Sequence, residues 1–235
     1  MALIAFVKFC FLNYLRQHRY LLDLVVIVIF SIIFGGFLTS DQLGDSIWLI
    51  FSIFALIINI PTALLTFFLE KGNTLYFLLS KPKGRENFLY AKIIVIVLID
   101  LFWVIIFALL FGLRFPSVDY FLLLPSRFSL ILITLVLSTL IISFAYAYQA
   151  HLIWLIFILF VFGNIIRKEG FFPIESAIES FKVLVFLLPP FFEMHFLTIS
   201  LDFSGWPLVF LGAALAQIII LFYVSRKRMM RKDFV

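Results

Sequence analysis

Three polar side chains stand inside apolar runs long enough to cross a bilayer: Asn59, Asp100 and Gln217. A carboxylate at mid-bilayer is costly, so intramembrane charges face a cavity or a partner. Asp100 then has two readings. It meets a cation, a substrate or a gate at a subunit interface, or it is hydrogen-bonded and ties its span to Asn59 or Gln217. Asn59 lies two residues before Pro61, where it is placed to satisfy backbone groups freed by a proline kink. Ser138, Thr139 and Ser143 are small polar residues of the kind that let helices approach closely. Glu193 and His195 form an isolated pair, which is weak support for a metal site.

Other chemistries are excluded by what is missing. No GxSG with a histidine or HExxH is present and paired intramembrane aspartates are not expected, so an intramembrane protease is not the expected reading. One cysteine, Cys10, rules out an internal disulfide or a CxxC centre. No GxxxxGK[ST] stretch exists to cradle ATP phosphates. The chain is not expected to be an enzyme, to bind a metal or to contact nucleic acid.

The elements that position these residues follow from composition. Of 235 residues, 65% are hydrophobic and 13% charged, and mean hydropathy is +1.20. A soluble domain carries roughly 25% charged residues, so this chain lacks the surface to be one. Its apolar runs are near-continuous rather than alternating, which reads as an all-α integral membrane protein. Six transmembrane helices are expected, at about 20–38, 46–69, 88–113, 128–148, 152–166 and 206–224. Residues 1–19 read either as an interfacial helix or as a lead-in to the first span. In that first span Asp23 is one turn from Arg19 and placed to pair with it. Residues 114–127 read as a loop. Residues 167–205 hold an apolar piece too short to span before Pro189-Pro190, which reads as a re-entrant helix pair. No cleavable signal peptide is evident.

Charge orients the bundle. With six spans both termini share a side, and that side collects 13 of the 18 Lys and Arg residues. The positive-inside rule makes the arrangement N-in/C-in. Residues 70–87 are then cytoplasmic and 167–205 outside.

Within the cytoplasmic segment, Glu70 to Ser80 reads as a short helix. Leu75, Leu78 and Leu79 share one face, and Asn73, Tyr76, Phe77 and Ser80 the opposite one. The first face rests on the span ends. The second presents two aromatics to a docking partner, or the whole segment is a basic loop held on anionic lipid. Pro82 and Gly84 break the helix.

The string LEKGNTLYFLLSKPKGRENFLYAKIIVIVLI resembles the loop after the second span of type-2 ABC transporter permeases. Those carry an acidic residue, Gly-Thr-Leu, a Leu-Leu-Ser or similar, a Pro-x-x-Arg turn and a Lys entering the next span. Glu70, Thr74-Leu75, Leu78-Leu79-Ser80, Pro82 with Arg85, and Lys92 match these positions, with Asn73 inserted between Gly72 and Thr74. The resemblance implies a permease subunit in a bacterial or archaeal cytoplasmic membrane. Its coupling helix would engage a separate ATPase through Glu70, Asn73, Thr74, Tyr76, Phe77, Ser80 and Arg85. A second permease chain and a pair of ABC ATPase subunits complete the unit, with ATP and Mg on the ATPases and no cofactor on this chain. The implied activity is export of a small or amphipathic substrate. A non-transporting member, in which ATP hydrolysis drives a signal or an assembly step, stays open beside it.

Overall fold

A computed structural model describes residues 2–38, 44–68, 83–148, 152–171 and 177–231. The regular elements among the described residues are all helices, with no strand among them. The order is α1 (Ala2–Arg16), α2 (Tyr20–Leu38), α3 (Ile47–Phe68), α4 (Gly84–Arg114), α5 (Val118–Tyr148) and α6 (Ile153–Ile165). Two 3₁₀ segments follow, Lys168–Phe171 and Ala177–Leu187, then α7 (Phe191–Ser200) and α8 (Trp206–Arg231).

The helices α3, α4, α5 and α8 are each long and apolar enough to cross a membrane, and the bent pair α1–α2 is a fifth candidate. This is a multi-pass membrane protein. The expected fifth span is shorter than anticipated. As α6 it has 13 residues, about 20 Å of helix against a hydrocarbon core of about 30 Å.

Two helix starts differ from expectation, and the last helix, expected to end at about 224, runs on to Arg231. The third span was expected from Phe88, but α4 begins at Gly84, directly after Lys83 in a left-handed conformation (φ 58°). Residues 114–127 were expected as a loop, yet α5 begins at Val118 and contains Pro125 and Arg127. Tertiary packing outweighs the proline here. Tyr120, Leu124, Arg127 and Ile131 recur at helical spacing and are all buried, and Pro125 forfeits only one backbone bond near the helix start. Gly112 makes room for this entry, since a Cβ there would come within 2.6 Å of the Tyr120 ring.

The helix α3 is the hub, packing on α2, α4, α5 and α7. Within it Phe51, Phe54, Ile58 and Phe67 are buried. It continues through Pro61 as helix. The helix α1 is set off from α2 by a bend of 67° and lays Phe6, Cys10 and Tyr14 against α4. By contrast α2 exposes Val25, Val28, Ile29, Ile32 and Ile33, a face suited to lipid or to another membrane helix.

Candidate functional site

One end of the bundle gathers the termini of several helices around the place where residues 69–82 leave α3 and enter α4. Glu86 near the start of α4 pairs with Arg226 of α8 at 2.9 Å and accepts the Tyr90 hydroxyl at 2.8 Å. Tyr90 stacks on Phe222, centroids 5.3 Å apart. Arg85 donates to the Met230 carbonyl at 2.9 Å. Arg228 lies over Tyr148 at the end of α5, and Arg19 donates to the Leu65 carbonyl at 3.0 Å. The ends of α3, α5 and α8 and the starts of α2 and α4 therefore lie together, and they bring cations with them.

Lys92 fixes the last turn of α3. Its fully buried ammonium donates to the Thr66 carbonyl at 2.7 Å, and more distantly to that of Phe67 at 3.4 Å. The rings of Phe88, Tyr146 and Phe67 surround it at 4.4–5.3 Å. A lysine can stay in such a place because a helix C-terminus is negative and aromatic faces attract cations. Of the expected docking residues, Arg85 is positioned as described. Glu70, Asn73, Thr74, Tyr76, Phe77 and Ser80 lie outside the described residues.

Deeper in the bundle the intramembrane polar residues meet. Asn59 donates to Asp100 Oδ2 at 2.7 Å and to Thr139 Oγ1 at 2.9 Å, and Ser138 donates to Asn59 Oδ1. So Asn59 ties α3 to α4 and α5 rather than repairing the backbone around Pro61. Thr62, one turn on, has one hydroxyl hydrogen for two acceptors, Asp23 Oδ1 at 3.0 Å and the Ile58 carbonyl of its own helix at 2.8 Å. The Tyr14 hydroxyl donates to Asp23 Oδ2. Asp23 was expected to pair with Arg19; it turns instead to Tyr14 and Thr62. Five helices, α1 to α5, thus share one buried network in which each residue is fully or nearly fully enclosed, and Asp23 and Asp100 meet in it across Thr62, so aspartates of two spans do come together, against expectation.

Gln217 does not join it. Its amide donates to the Phe186 carbonyl at 2.7 Å and the Leu188 carbonyl at 3.2 Å. There it caps the end of the Ala177–Leu187 segment, since the last carbonyls of a helix have no partner further along it. It also borders an apolar cleft of about 470 Å³ between α5, α6 and α8.

The opposite end is closed by ion pairs. Arg127 reaches Asp45 at 2.8 Å and lies 4.8 Å over Trp48. Glu193 is committed to Lys168, accepting its backbone N–H at 2.6 Å and its ammonium at 3.0 Å. Burial pushes the Lys168 ammonium below its ordinary value, and Glu193 pulls it partly back. His195 has Ser52 Oγ at 2.6 Å from Nδ1 and Asn164 Oδ1 at 2.8 Å from Nε2. Glu193 and His195 therefore serve different partners and do not form a joint metal site. No cluster of three or more potential metal ligands occurs among the described residues.

Sequence reasoning missed Thr62, Ser52 and Asn164 as network members. The available signal was the polar residue itself inside an apolar helix, since each must find a partner when buried. No family model matches this chain, and no curated protein matches it.

Proposed function

We propose that the chain is the membrane permease subunit of an ABC transporter, working with a second permease chain and a pair of separate ATPase subunits. In this reading α2, α3, α4, α5 and α8 cross the bilayer and the short α6 makes a sixth crossing where the bilayer thins around it, N-in/C-in, in a bacterial or archaeal cytoplasmic membrane. The helix α1 lies in the interface, and the Ala177–Leu187 segment with α7 forms the re-entrant pair. The cargo is small or amphipathic, and it is exported as ATP-driven closure of the partner alternates access. ATP and Mg belong to the partner.

The observation that supports this reading is the junction at the cationic end. Residues 69–82 depart from an α3 terminus gripped by Lys92 and return at an α4 start bonded to α8 through Arg85 and Glu86. A push on such a segment is delivered to three long helices at once, because their ends are tied by charge-assisted bonds. The resemblance of the same segment to a coupling helix names the kind of partner that would push.

A second reading is favoured by one observation. Asp100 and Asn59 bond to each other inside the protomer, and Gln217 faces elsewhere. These residues do not line a shared polar path, which suits a machine that transmits a conformational signal or serves an assembly step without moving a substrate.

The coupling assignment is tested at its two aromatics. Tyr76→Ala and Phe77→Ala should each abolish stimulation of the partner ATPase while the chain still inserts in the membrane. Wild-type stimulation in both variants would remove the coupling role from this segment.

A further inference from the structure

Asp23 and Asp100 come from different helices, and both are fully buried. Thr62 lies between them, bonded to Asp23 and adjoining the Asp100 carboxyl. The neighbours of the pair are arranged as donors: Tyr14 and Thr62 toward Asp23, and Asn59 toward Asp100 Oδ2. Asp100 Oδ1 has no hydrogen-bond partner.

Countercharge is directed elsewhere. On α1 the titratable group facing the pair is Tyr14, while Lys8 borders an apolar cleft against α4. Just before α2, Arg19 reaches Leu65 and Gln17. No charged residue lies within α3. On α4, Lys92 is engaged at the α3 terminus. On α5, Arg127 reaches Asp45 at the far end, and no charged residue follows it in that helix. On α7, Glu193 holds Lys168 and His195 meets Ser52. Among the described residues no lysine or arginine forms an ion pair with Asp100.

Two carboxylates without a cation cannot both remain charged in a closed apolar interior, where an uncompensated charge costs several kcal/mol. A metal cation is a poor answer, because the surrounding hydroxyl and amide groups present hydrogens toward the carboxylates. A proton suits a lone acceptor oxygen.

We propose that this network is a proton-binding site in which Asp100, through its unpartnered Oδ1, carries one exchangeable proton. Binding forms one O–H bond at Asp100 Oδ1 and breaks one in a hydronium ion, which is left as water. The bound proton removes one of the two charges flanking Thr62, and so lets α2, α3 and α4 stay clasped there. Losing it sets two carboxylates against each other across Thr62. The site thereby links the packing of three helices to proton availability, whichever partner the chain serves.

Infrared spectra of the full chain in lipid nanodiscs at neutral pH test this directly, comparing wild type with Asp100→Asn and Asp23→Asn. The wild type should show the carbonyl band of a protonated carboxyl. Asp100→Asn should lose that band and Asp23→Asn should keep it. Because an amide has the shape of a protonated carboxyl, Asp100→Asn should also unfold within a few degrees of wild type. Absence of the band in wild type would overturn the proposal, as would its survival in Asp100→Asn. So would failure of Asp100→Asn to fold, which would show that an ionised carboxylate is needed. A sodium-dependent rise in stability that disappears in Asp100→Asn would identify a metal cation instead.

Discussion

Replacing Asn59 by Leu is expected to destabilise the protein by about 3–5 kcal/mol. The substitution keeps the approximate volume, so packing changes little. What changes is the wiring. Asp100 Oδ2 loses its donor, and the hydroxyls of Ser138 and Thr139 lose their common amide. A buried polar group left unpaired costs about 1–3 kcal/mol, and three such groups would be left at once. Ser138→Ala removes one hydroxyl and leaves the bond between Asn59 and Asp100 in place, so it should cost only about 1 kcal/mol. Reversible unfolding in mixed micelles, read by tryptophan fluorescence, measures both. Equal midpoints for Asn59→Leu and wild type would show that the network does not hold α3 to α4 and α5.

The second large effect is expected at the opposite end. Lys168→Ala strands Glu193 in a site where only 8% of its side chain is exposed, leaving the backbone N–H of residue 168 as its remaining partner. Breaking a buried ion pair from one side costs about 3–5 kcal/mol. Removing both charges is a different matter, because the desolvation penalty goes with them. A Lys168→Met, Glu193→Gln double variant should recover most of the loss. The same unfolding experiment decides it. A single variant as stable as wild type would mean that the pair contributes nothing to holding α7 beneath α6.

Much of this architecture can be read in the chain, and the parts that cannot have identifiable causes. Apolar runs announce α3, α4, α5 and α8, because a helix hidden from water on all sides needs no polar face. Helix starts are harder. Pro82 and Gly84 mark the turn before α4, yet the helix begins at Gly84 rather than at Phe88. Pro125 and Arg127 look like loop residues until Tyr120, Leu124 and Ile131 are seen to share the buried face of Arg127, with Pro125 on the exposed side. The arginine is buried because Trp48 and Asp45, some eighty residues earlier, receive it. That is a tertiary fact with no local signature.

The polar core shows the same division. Asp100 announces itself as an intramembrane carboxylate, and a tie to Asn59 was one of its two readings. The participation of Thr139 and Ser138 depends on how α5 is rotated against α3, which spacing along one helix does not reveal. Gln217 looks equivalent to Asn59 in sequence, but its helix is turned toward the end of the Ala177–Leu187 segment, where the Phe186 and Leu188 carbonyls take it. Lys92 was legible as the cation entering α4. Its enclosure by three aromatic rings at the end of α3 was not, since those rings come from three helices.

The central proposal is that this chain is driven by an ATPase it does not contain. Purification of the tagged full chain from its native membrane in mild detergent, with co-eluting chains identified by mass spectrometry, tests that most directly. A stoichiometric partner whose sequence carries a GxxxxGK[ST] phosphate-binding loop is expected, and it should be lost when Tyr76 and Phe77 are both changed to Ala. A chain that elutes as a single stable species with no such partner would contradict it.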